Sequence, residues 1–218
     1  MAGDGRRPAA LHLADVTLAP DVAERPAPLE AKVLECKGEL PLGIARVRLH
    51  AGWAKLEPER GKWDFAWLDR IVDYAVSNGL NVLLETDYGN PVYAGGGGWD
   101  LAGGFPSSEE GLAGWDGWVD AITKHFKGRV RDWAMWNEPD IGSPKKTPEQ
   151  IAAFNVRTAK IVKRNIPDAR IAGLSLASSD PKAFEACLKP MGEDVKLFDW
   201  FIYHGYADAP EKSYDNVE

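Results

Sequence analysis

Only two cysteines, Cys36 and Cys187, occur in 218 residues, far apart and outside any CxxC pair. That argues against a disulfide-stapled scaffold or a thiolate metal cluster and leaves two separate buried thiols as the expectation. Positive charge is also scarce: 26 Lys and Arg face 33 Asp and Glu, a net charge of −7, with no basic block longer than a pair such as Lys145-Lys146. A nucleic-acid or anionic-membrane partner is therefore not expected. No apolar run reaches membrane-spanning length, and the opening MAGDGRRPAALHLADV has two arginines without the apolar stretch of a secretion signal. As it stands the chain reads as cytoplasmic, or as secreted if its natural N-terminus is missing, with residues 1–10 expected to be disordered. The four histidines, His12, His50, His125 and His204, lack ligand spacing, so no metal or other cofactor is expected. Nothing in the composition points to an oligomeric state.

What the chain does have is apolar strand-length runs alternating with longer amphipathic segments, the pattern of parallel strands joined by crossover helices within one domain, 1–218. Six strands are expected, at 11–18, 45–50, 81–87, 130–137, 170–176 and 198–206. Between them, Trp67, Ile71, Tyr74 and Ala75 mark one helix face, Asn78-Gly79 stops that helix, Thr147-Pro148 starts a long one and Pro181 a shorter one. The glycine-rich loop 88–114 is long enough to suggest function, but no GK[ST] follows it, so phosphate binding is disfavoured. No GxGxxG follows the first strand, and polar and aromatic residues gather at the C-terminal ends of successive strands. Both features favour a TIM-type (β/α)8 barrel, incomplete here at about six βα units, over an open doubly wound sheet.

At the end of the fourth expected strand, VRDWAMWNEPD (130–140) places Glu138 between an asparagine and a proline. Pro139 removes a backbone donor and biases Glu138 toward an extended conformation, so its side chain can be re-aimed into a mouth. A carboxyl enclosed by tryptophans and a proline is poorly solvated, which favours the protonated form a general acid needs. A turn-capping glutamate, or one paired with Arg131, would show the same residues. Nine tryptophans are many for this length, and Trp53, Tyr88, Tyr93 and Trp99 are the loop aromatics placed to offer a flat platform to a ligand, whereas Trp63, Trp67, Trp115 and Trp118 suit core packing. Asn90 either contacts substrate or ties down the turn before Pro91. Arg48 and His50 share one side of the second strand, and Glu85 and Asp87 one side of the third.

Trp136-Asn137-Glu138-Pro139 resembles the acid/base signature of the clan A glycoside hydrolases, in which Asn-Glu ends the fourth barrel strand. VRLHAGWAKLEPERGKWDFAWLDRIVDYAVSNGL (47–80), LLETDYGNPVY (83–93) and YHGY (203–206) are similar to the clan pattern after strands two, three and six. Within the clan, family 39 is the nearer likeness and family 5 the close competitor. The resemblance implies a retaining glycosidase acting on β-linked plant-type oligosaccharides or glycosides. Glu138 is then the general acid/base, Asn137 binds the hydroxyl beside the reacting carbon, and Arg48 sits beside the nucleophile. His50 would donate to a sugar hydroxyl, and His204 and Tyr206 would orient the nucleophile and contact the sugar. The clan's nucleophile is a glutamate ending strand seven, expected beyond residue 218; Asp87 is a weak substitute, since the clan pattern places no nucleophile on strand three. A non-catalytic sugar-binding barrel or an inactive fragment is the alternative reading.

Overall fold

The computed structural model describes residues 45–100 and 103–206. The expected strand at 11–18, residues 1–10, His12 and Cys36 lie outside them. In chain order the described elements are β1 (Arg46–His50), α1 (Trp53–Leu56), α2 (Ala66–Ser77), β2 (Asn81–Glu85), α3 (Glu109–His125), β3 (Asp132–Ala134), α4 (Pro148–Asn165), β4 (Arg170–Leu176), α5 (Pro181–Leu188), a 3-10 segment (Lys189–Leu197) and β5 (Trp200–Tyr203). Every ladder among these strands is parallel, and the spatial order β1-β2-β3-β4-β5 repeats the chain order. A doubly wound sheet reverses its order at a switch point; a sheet that advances by one neighbour at each crossover is the wall of a barrel. The second to sixth expected strands are therefore β1 to β5.

The helices start where local chemistry permits. Ser108 accepts from the Gly111 amide at the start of α3, whose first turn is acidic (Glu109, Glu110) and last turn basic (Lys124, His125), both favourable to the helix dipole. Thr147 and Gln150 form a reciprocal capping box at α4, with Pro148 at the first helical position. Thr147→Ala should cost about 1 kcal/mol of unfolding free energy in urea titration; a loss within error would show that water replaces the cap. Trp115 and Trp118 of α3 are fully buried with Trp133 of β3, and the Trp115 indole donates to Thr158 Oγ1 of α4 at 3.0 Å. Trp63, expected in the core, is instead 36% exposed and stacks at its edge on Phe65. Cys187 is buried as expected, and burial pushes its thiol up to about 11.

The ladder at β3 ends at Ala134, three residues short of the expected strand, because the chain there is diverted rather than extended. Glu138 has φ 48, in the left-handed region, not the extended conformation that Pro139 suggested. Its amide donates to Ser175 O at 2.9 Å, and Ser175 (φ 44) and Leu174 (φ 68) are themselves left-handed where the register of β4 against β5 shifts. Three non-glycine residues at positive φ each cost on the order of 1–3 kcal/mol, a strain that persists only where surrounding contacts over-determine it. The diversion turns the Glu138 side chain across the strand ends toward β5.

Candidate active site

In β1 the alternation of side chains places Arg48 and His50 on one side, and the register sets His50 opposite Glu85 of β2. Asp87 follows two residues later. Glu85 and Asp87 are fully buried, and the adjoining Asn137 and Glu138 are only 3% and 6% exposed. Arg48 Nη2 donates to Glu85 Oε2 at 2.5 Å and to Asn137 Oδ1 at 2.7 Å. Because a guanidinium only donates, the Asn137 oxygen must face it, and the amide nitrogen then donates to Tyr88 Oη at 2.9 Å. Across the mouth, His204 Nδ1 lies 2.5 Å from Glu138 Oε1 and Nε2 lies 3.3 Å from Arg48 Nη1. His50 bonds Asp87 through Nδ1, stands 3.5 Å from Glu85 Oε2, and stacks on Tyr88 with centroids 5.8 Å apart.

Two buried carboxylates thus face an arginine and a histidine. Burial is the largest influence on His50 and would depress its basicity, but the hydrogen bond and charge of Asp87 with the charge of Glu85 together prevail and raise it to about 9. His50 is therefore an imidazolium at neutral pH, a donor on both nitrogens. Burial, aided by the like charge of Asp87, pushes Glu85 up to about 7 against the pull of Arg48 and His50. The ligand atoms of His50, Glu85 and Asp87 lie within 4.8 Å of one another, close enough for a divalent cation. Arg48, however, already holds a fixed positive charge on Glu85, and the two cationic side chains balance the two carboxylates.

The structure brings Glu138, Asn137, Arg48, His50, Tyr88 and His204 into one connected cluster. It does not bring in all the others. Trp53 is fully buried in α1, packed between Tyr93 (5.3 Å) and Trp118 (5.7 Å), so it is a core residue and not a sugar platform. Asn90 is 1% exposed, its amide donating to Glu57 O and its oxygen accepting from the Val92 amide, so it ties down the turn. Tyr206 is 78% exposed beside His204, and Trp99 is 48% exposed on the loop. Tyr93 is likewise occupied, donating to Glu57 Oε1 at 2.7 Å. Glu57, which the sequence offered only as the Glu-Pro after the second expected strand, also accepts from the Trp53 indole and the Gly61 amide, both at 2.6 Å. Its signal was a glutamate four residues after a tryptophan on a short helix, visible only once both were known to be buried. The glycines of the long loop serve close backbone approach: a Cβ on Gly96 would lie 2.2 Å from Asn90 O.

With its site at the C-terminal strand ends of a barrel wall, the chain resembles the clan A glycoside hydrolases. Residues 39–92 match the glycoside hydrolase family 42 model, described as beta-galactosidase, a family of that clan. Over 39 residues the chain is 49% identical to the beta-galactosidase BbgII of Bifidobacterium bifidum, a match covering 18% of this chain and 6% of that protein. Over 112 residues it is 25% identical to a beta-1,4-xylanase of Dictyoglomus thermophilum, covering 51% of this chain and 30% of that one. The chain therefore spans a small part of each curated relative. A family 39 glycoside hydrolase from Bacteroides cellulosilyticus WH2 superposes with a TM-score of 0.57 at 22% identity over 73% of this chain and 32% of that one. A xylanase from Paenibacillus barcinonensis does so with a TM-score of 0.60 at 18% identity over 86% and 60%. At those identities the likeness shows the fold: the chain forms part of a (β/α)8 barrel.

Proposed function

We propose that the chain carries the acid/base half of a retaining glycoside hydrolase that cleaves β-linked saccharides. The observation that supports it most is Glu138 itself, a nearly buried carboxyl on a strained residue, held at the C-terminal strand ends beside Asn137 and above Arg48. Retaining hydrolysis requires a carboxyl that protonates the leaving oxygen and a second, roughly 5–5.5 Å away, that attacks the anomeric carbon from the opposite face. Glu138 takes the first role. Asn137, locked by Arg48 and Tyr88, presents the remaining capacity of its amide to the sugar hydroxyl beside the reacting carbon. His50, as an imidazolium, donates to a further hydroxyl. The nucleophile is a glutamate beyond residue 218, and Arg48 is placed to hold it ionised. The beta-galactosidase and xylanase names of the relatives favour β-linked substrates without choosing among them.

The test is a panel of aryl β-glycosides and β-linked oligosaccharides given to the full-length protein, with the anomer of the first-formed product read by proton NMR. Hydrolysis giving the β-anomer first is expected. First release of the α-anomer would overturn the retaining assignment, and saccharide binding with no turnover of any β-glycoside would establish the sugar-binding alternative.

A further inference from the structure

The cluster contains a constraint that donor and acceptor chemistry alone resolves. Arg48 has only N–H groups to offer. With its Nη1 3.3 Å from His204 Nε2, that ring nitrogen must be the acceptor, so the imidazole proton sits on Nδ1. Nδ1–H in turn donates to Glu138 Oε1 at 2.5 Å. An imidazolium, or the opposite tautomer, would point an N–H of His204 at an N–H of Arg48. Since Oε1 is taken as an acceptor, a proton carried by Glu138 resides on Oε2.

Arg48 is aimed by its other bonds. Nη2 is shared between the neutral Asn137 Oδ1 at 2.7 Å and the Glu85 Oε2 at 2.5 Å, and Glu85 is fully buried, so its charge acts without solvent screening. We propose that Glu85 is a positioning residue for the proton donor: its carboxylate orients Arg48, Arg48 fixes the Nδ1–H tautomer of His204, and His204 confines the Glu138 proton to Oε2. The catalytic meaning of this relay rests on the glycosidase reading, but the relay itself does not. Among the described residues, the charged groups facing Glu85 are Arg48 and His50 from β1 and Asp87 just past the end of β2, and burial lifts Glu85 to about 7. The relay loosens where Glu85 takes up a proton and its charge on Arg48 is lost.

Nitrogen-15 NMR of the histidine-labelled chain tests this without any turnover, so it succeeds or fails independently of the hydrolysis panel. The His204 ring is assigned by its loss in His204→Gln. At pH 8 the wild-type ring should show a protonated Nδ1 and a bare Nε2; a protonated Nε2 overturns the proposal. In Glu85→Gln the Nδ1–H form should fall from dominance toward parity with Nε2–H, a change of about tenfold in the tautomer ratio. An unchanged ratio in a folded variant removes Glu85 from the relay.

Discussion

Glu138→Gln should lower turnover of natural β-glycosides by about 10²–10⁴-fold while sparing aryl glycosides whose leaving groups depart as anions. The amide is nearly isosteric and keeps an oxygen to accept from His204, so the cleft should survive; what disappears is the proton. An alkoxide leaving group needs that proton in the transition state, whereas a dinitrophenolate does not, so the loss should scale with leaving-group basicity. Measured as kcat/KM across a series of aryl glycosides in the full-length protein, the variant should show a much steeper dependence than the wild type. Equal losses for good and poor leaving groups would deny Glu138 the acid role and leave it a structural carboxyl held by His204.

The second large effect lies away from the cleft. Glu57→Ala should cost roughly 3 kcal/mol of unfolding free energy, because a buried, a half-buried and an exposed donor lose their acceptor at once. These are the Trp53 indole, the Gly61 amide and the Tyr93 hydroxyl, at 2.6, 2.6 and 2.7 Å. Tyr93 already registers the contact: burial and then its hydrogen bond to Glu57 push its phenol up to about 12. Glu57→Gln retains one acceptor oxygen and should cost less, about 1 kcal/mol. Urea denaturation of the three proteins decides it, and a Glu57→Ala midpoint equal to that of wild type would show that the loop carrying Tyr93 finds other anchors. The Asn90 amide donates to the backbone oxygen of the same residue, a contact that both substitutions keep.

Much of this was legible before any coordinates. Five of the six expected strands fall on described strands, since alternation of strand-length apolar runs with amphipathic segments is a local signal, and the capping box at Thr147 is local too. The aromatic residues show the limit. Trp53 reads as a loop platform from its place just past a strand, yet it is enclosed by Tyr93, Trp115 and Trp118, rings up to 65 residues away in sequence. Composition cannot distinguish an indole that meets other rings from one that meets solvent.

The pairing of charges followed the same division. Residue spacing alone placed Arg48 with His50 and Glu85 with Asp87, because side chains alternate along a strand. That these two pairs face one another depends on the parallel register between β1 and β2. That Glu138 meets His204 depends on a left-handed turn which Pro139 argued against and which Ser175 holds in place. The sequence by itself determined the barrel class, the order of its strands and the carboxyl that ends the Trp-Asn-Glu-Pro run. The tertiary structure decided which groups share a proton and which merely fill the core, because hydrogen bonding and desolvation depend on distances between residues that the chain separates by dozens of positions.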